Sequence, residues 1–167
     1  TADTKSFIHI WDASSLQCIQ IIKSVAKEGV QHVLFSPLSD HIAAVAADAD
    51  RTLTIYNTMD GTIVSSCRGF SSPNNIYDIA FSKTGNELCA VGNNSIYFYR
   101  NLSTGHKAPE SIPAKFALSA KKQLFLCVVY CDECAVVGCA SGELYRFMGN
   151  LCIQVVQAHG IQDAVLS

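Results

Sequence analysis

An all-β fold made of repeated four-stranded antiparallel units is predicted by three observations. Short apolar stretches recur in similar surroundings, a turn follows each, and each unit contains a strand that ends on an aromatic residue. Four short strands per unit, at a period of about 45 residues, is the pattern of a β-propeller blade. The order of the pieces predicts a partial propeller, three whole blades plus parts of two, cut from a larger ring. Its expected units are the outer two strands of a blade (1–29), a blade (30–75), a blade with a long basic loop (76–123), a blade (124–160), and the first strand of the next (161–167).

The expected first strands are Val30–Ser36, Ile76–Ser82, Leu124–Tyr130 and Ile161–Ser167, spaced 46, 48 and 37 residues apart. Each is apolar at its first, fourth and sixth positions, as a buried strand would be. Turns follow at Ser36-Pro-Leu-Ser-Asp40 and Ser82-Lys-Thr-Gly-Asn86, with Cys131-Asp-Glu133 as a shorter version. Second strands are expected at His41–Ala47, Glu87–Val91 and Cys134–Cys139. Third strands follow at Leu53–Tyr56, Ile96–Tyr99 and Leu144–Phe147, and a further copy opens the chain at Phe7–Asp12. Outer strands fall at Leu16–Ile22, Thr62–Cys67 and Leu151–Val156.

One twisted sheet cannot bury both of its faces, so neighbouring blades must cover each other. A β-sandwich is the competing fold, but a sandwich has no reason to repeat its strand chemistry four times. A partial ring exposes an apolar face at either end. These faces are expected to be covered by further chain, by a second copy or by exchanged strands.

Composition narrows the function. Apolar residues are 49% and charged residues 16% of 167, so the chain has material for a core. Formal net charge is −2, and no basic stripe interleaved with aromatics is present, so nucleic acid and membrane are not expected partners. No apolar run approaches the ~20 residues of a membrane span. Eight cysteines in a chain with ample core residues and no secretory signal read as reduced thiols of a cytoplasmic protein.

Candidate chemistry is sparse. Cys131-Asp-Glu-Cys134 could place two thiolates on one zinc, with Cys127 and Cys139 nearby. The competing reading, a tight turn with buried thiols and no metal, is the one expected here. Paired acids at Asp48/Asp50 and Asp132/Glu133 fall at turns, and no serine has a nucleophile motif around it. The expectation is therefore no enzyme and no cofactor. The connection from Arg100 to Gln123 outgrows the repeat. Its Arg100, Lys107, Lys115, Lys121 and Lys122 oppose one acid, Glu110, and make the candidate binding surface for an acidic partner.

Trp11-Asp12, closing an apolar strand, resembles the WD-repeat signature, and His159-Gly160 resembles an altered form of its Gly-His. Tyr56, Tyr99 and Phe147 stand where other blades carry that tryptophan, while Asn57, Arg100 and Met148 replace the aspartate. The hydrogen-bond network of a regular WD repeat is therefore incomplete in every whole blade. His159 is expected to brace its loop. Over residues 85–167, the run Gly92–Tyr99, Phe125–Val129, Gly138-Cys-Ala-Ser-Gly142-Glu-Leu144 and Gln157-Ala-His159 resembles the echinoderm microtubule-associated-protein-like family. That resemblance implies a tandem-propeller scaffold of the cytoskeleton that binds tubulin or microtubules. A general WD-repeat adaptor of another multiprotein complex is the alternative.

Overall fold

The computed structural model describes residues 6–69, 75–102, 109–116, 120–159 and 164–165. These residues form fourteen strands and no helix, arranged as one two-stranded and three four-stranded antiparallel sheets. The first sheet pairs β1 (Phe7–Trp11) with β2 (Cys18–Lys23). The second runs β3 (Val30–Phe35), β4 (His41–Ala46), β5 (Leu53–Asn57), β6 (Ile63–Cys67). The third runs β7 (Ile76–Phe81), β8 (Glu87–Gly92), β9 (Ser95–Arg100), β10 (Glu110–Pro113). The fourth runs β11 (Phe125–Cys131), β12 (Cys134–Cys139), β13 (Glu143–Met148), β14 (Leu151–Gln157). Each whole sheet pairs its strands in sequence order, so the architecture is that of consecutive propeller blades, as the repeat predicts.

Sheets are joined face to face through three apolar clusters. Strand alternation sends successive side chains to opposite faces, and the central strands show it directly. Ile42 and Ala44 of β4 pack toward the first sheet with Ile8, Ile10 and Ile22, whereas Ala43 and Val45 pack toward the third. In β8, Leu88 and Ala90 join the cluster with the second sheet, and Cys89 and Val91 join the cluster with the fourth. This two-sided burial explains why β4 and β8 read as continuous apolar runs.

The local rules of the repeat are equally visible. Ser36 and Ser82 each accept from the backbone N–H five residues on, His41 at 3.1 Å and Glu87 at 3.2 Å. Ser39 and Gly85 take the same left-handed turn position, at φ 59° and 73°. Asp12 and Asn57 occupy matching sites at the ends of β1 and β5, and their side-chain oxygens accept N–H groups of the following turn. Four residues beyond each, Leu16 and Gly61 adopt positive φ, so Leu16 bears a cost that Gly61 avoids.

Two expectations need correction. The first strand of the fourth sheet is offset by one residue. A bulge recurs at Val30/His32, Ile76/Asp78 and Phe125/Cys127, so Phe125, rather than Leu124, occupies the place of Val30 and Ile76. A slip of one residue would turn the fully buried Phe125 outward and Leu124 inward; Leu124 instead bridges Asn93. The connection Arg100–Gln123 is also not one long loop, because β10 lies within it and completes the third sheet. The expected strand 161–167 falls largely outside the described residues. Its Val165 donates from N to the Cys139 carbonyl and accepts from Cys127 Sγ, 3.0 and 3.5 Å away.

Both outward faces are apolar. The first sheet shows Trp11, Ile19 and Ile21, and the fourth shows Val129, Met148 and Val156. Among the described residues the first sheet has two strands, and Val33 and Phe35 of β3 are left exposed where Ile79 and Phe81, their equivalents in β7, are buried.

Candidate functional site

Arg100, Lys115, Lys121, Lys122 and Phe147, among the residues singled out by sequence, lie at the junction of the third and fourth sheets. After β10 the chain leaves the third sheet and crosses to the outer edge of the fourth. Ala114 N donates to the Ile96 carbonyl; then Lys115 N donates to the Asn150 carbonyl and Cys152 N to the Lys115 carbonyl, at 2.7 and 2.9 Å. Lys115 thereby makes a parallel bridge to Leu151. Phe116 follows, and its ring inserts between the sheets, stacked on Phe125 at 5.8 Å and edge-on to Tyr145 and Phe147 at 6.4 and 6.0 Å. Aromatic pairs at these separations add to the gain from burial alone. Residues 109–116 thus form a strap stitched to both sheets, and Phe116 is its anchor.

Lys121 and Gln123 are held to the fourth sheet by polar contacts of their own. Tyr145 Oη accepts from Lys121 N at 3.2 Å and from Gln123 Nε2 at 2.9 Å, while Gln123 Nε2 also donates to Glu143 at 2.7 Å. Ser141 donates to the same carboxylate oxygen. Hydrogen bonds from Gln123, then those from Ser141 and Tyr145, hold the Glu143 carboxyl below its ordinary value of 4.5. A depressed folded-state value means that the stabilisation is complete above that ordinary value and is lost as pH falls through the folded one. Glu143→Gln should therefore lower the melting temperature at neutral pH and cost progressively less in acid, as thermal unfolding across pH would show.

The five candidate cations divide. Lys115, Lys121 and Lys122 are exposed, and Lys122 shares a small cleft with Pro113, Ala114 and Phe116, which flank Lys115. Arg100 is instead engaged in the fold. Its Nε meets Glu87 at 2.6 Å, Tyr130 Oη donates to the other oxygen of that carboxylate at 2.8 Å, and Arg100 Nη2 occupies the space that a side chain at position 149 would need. Arg100 and Glu87 pair within the third sheet and Tyr130 joins the same carboxylate from the fourth, so Arg100 does not stand free for a partner. Lys107 lies outside the described residues.

The repeat positions behave as a set with one exception. Tyr56, Tyr99 and Phe147 are 0, 1 and 0% exposed, each facing the preceding sheet, while Trp11 is 51% exposed and stacks on His9. Asp12 caps its turn, and hydrogen bonds from Ser15 and Ser14 lower its pKa. His159 is fixed through its backbone, donating N–H to the Gly142 carbonyl at 3.1 Å, and its side chain is exposed and makes no bracing hydrogen bond among the described residues.

Cys131 and Cys134 face each other across the β11–β12 hairpin. Cys127 is four residues back along β11, ~13 Å at strand rise, and no group of three metal-ligating side chains occurs among the described residues. The hairpin supplies two thiols and not a four-ligand knuckle. No helix among the described residues is long and apolar enough to cross a membrane.

Sequence reasoning weighted the lysines of this connection and passed over Phe116 and Asp78. Asp78 Oδ2 accepts from Val128 N at 2.8 Å across the inner strands, while its Oδ1 accepts from Ile79 N. The only available signal was a lone acid inside an apolar strand.

Sheets and strand order define an all-β chain of propeller-type blades. No protein-family model matches the chain.

Proposed function

We infer that the chain is part of a non-catalytic protein-interaction scaffold of WD-repeat type, belonging to a microtubule-associated protein and binding tubulin or microtubules in the cytoplasm. The single observation that carries this reading is the strap. It holds Lys115 exposed on backbone that is hydrogen-bonded to two sheets and anchored by Phe116, and Lys121 and Lys122 are exposed nearby, where Tyr145 Oη bonds the Lys121 backbone. Cations on a fixed support lose less entropy on meeting an acidic surface than cations on a free loop. The family resemblance over residues 85–167 points to tubulin as that acidic surface, and no chemical step is involved.

Microtubule co-sedimentation tests it. The protein should pellet with polymerised tubulin, less so as salt rises, and reversal of Lys115, Lys121 and Lys122 to glutamate should weaken binding roughly tenfold or more. Absence of pelleting by the unaltered protein would sink the reading.

The alternative, an adaptor for a different complex, draws on another surface. Leu38 and Met59 are 76 and 86% exposed on the β3–β4 and β5–β6 turns, which Thr58 ties together through the Ser39 and Asp40 carbonyls. Loss of partner capture on Leu38 and Met59 substitution, with tubulin binding absent, would select it.

A further inference from the structure

We propose that Cys131 and Cys134 form a reversible redox pair, a dithiol that low-molecular-weight disulfides of the glutathione class convert to an intramolecular disulfide. Their placement comes from the sheet. They are the last register partners of β11 and β12, closed by the two-residue turn Asp132-Glu133, with Asp132 at φ 52°. Directly opposed residues of an antiparallel pair project from the same face, with Cβ atoms ~4.5–5.5 Å apart. A disulfide requires ~3.5–4.5 Å. Closure therefore needs a small inward movement of the two positions that flank the Asp132-Glu133 turn. The residual strain keeps the bond readily reduced.

The two thiols also differ in the way that a stepwise reaction requires. Cys131 is exposed and Cys134 is buried. Cys131, as thiolate, attacks one sulfur of the oxidised reagent, which breaks that S–S bond and releases one thiolate. Cys134, having lost its proton to solvent, then attacks Cys131 Sγ and displaces the second thiolate. Two protein thiols become one disulfide while one reagent disulfide becomes two thiols, so atoms and electrons balance.

The surroundings keep the pair together. Tyr130, next to Cys131, is hydrogen-bonded to Glu87 of the third sheet, and β12 is laddered to β13 up to the pair Cys134↔Met148. Both thiols thus rest on strands that are already ordered, and the second attack is intramolecular. Cys18 provides the contrast within the same molecule. It is exposed like Cys131, but its cross-strand partner is Trp11, so it has no resolving thiol opposite it.

Incubation of the protein with oxidised glutathione, acid quenching, alkylation and peptide mass mapping tests the pair. The expected product carries a Cys131–Cys134 bond and is lighter by two hydrogen atoms, while Cys18 stops at the mixed disulfide with glutathione. Cys134→Ala should accumulate glutathione on Cys131, and Cys131→Ser should leave Cys134 unmodified. Reduced glutathione should restore both thiols. Glutathione retained on Cys131 of the unaltered protein with Cys134 free, a bond joining Cys127 to Cys139 instead, or an unreacted pair would each overturn the proposal. The unaltered protein supplies the decisive reading, so poor folding of either variant leaves the test intact.

Discussion

Phe147→Ala is expected to destabilise the fold by about 3–5 kcal/mol, the range for deleting a fully buried aromatic ring. The ring is entirely shielded from solvent and lies 5.7 Å from Phe98 of the third sheet and 6.0 Å from Phe116 of the strap. Removing it opens a void bounded by two sheets and the strap, none of which can close on it without breaking its own ladder. The loss should appear in urea unfolding as a lower midpoint with the slope unchanged. Phe116→Ala should cost less, because Phe116 is only partly buried, and should release the strap selectively. Amide exchange at Lys115 and Cys152, whose backbone groups are bonded across the strap, would report that release. Equal costs for the two variants would show that the strap carries no separate anchoring role.

Asp78→Ala should cost about 1.5–3 kcal/mol, the scale of a charge-assisted hydrogen bond whose loss leaves a donor unpaired. Val128 N–H points away from β12 and is satisfied by Asp78 Oδ2 at 2.8 Å, so no ladder partner replaces it. Asp78→Asn keeps an acceptor of the same shape and should lose only part of that amount. The ordering Asp78→Ala worse than Asp78→Asn, measured by denaturant titration, separates the inter-sheet bond from general packing. Equal effects would indicate that the carboxylate acts only within β7, on Ile79.

Most strands were legible because two local signals coincide in them. Alternation or continuous apolarity marks β4, β8 and β12, and turn residues such as Ser36, Ser82 and Gly85 recur at the same distance from them. The one-residue error at Leu124 has a plain cause. Leu124 and Phe125 are both large and apolar, and only the bulge between Phe125 and Cys127 decides which of them faces the core. The four-residue β10 was missed because Glu-Ser-Ile-Pro has little strand character of its own. It is held by β9, with Glu110 opposite Arg100 and Pro113 opposite Tyr97.

The candidate site was less legible than the fold. Five cations in one connection are visible as composition, but their roles depend on partners far away in sequence. Arg100 pairs with Glu87 across β8 and β9, whereas Lys115 is left exposed by a strap whose anchor, Phe116, looks in sequence like any other loop aromatic. Trp11 and Phe147 share a repeat position, yet one is half exposed and the other fully buried. That difference depends on whether another sheet lies against them.

What the sequence determined by itself is the blade: the strand order, the turns and the alternation that sends side chains to two faces, all fixed by interactions spanning a few tens of residues. What only the tertiary structure decided is which of those faces meet, how the strap crosses from one sheet to the next, and which polar groups it consumes or leaves for a partner. These depend on contacts such as Asp78 with Val128, Tyr130 with Glu87 and Phe116 with Phe147. Residue spacing does not encode such contacts, because each forms only once neighbouring sheets have packed.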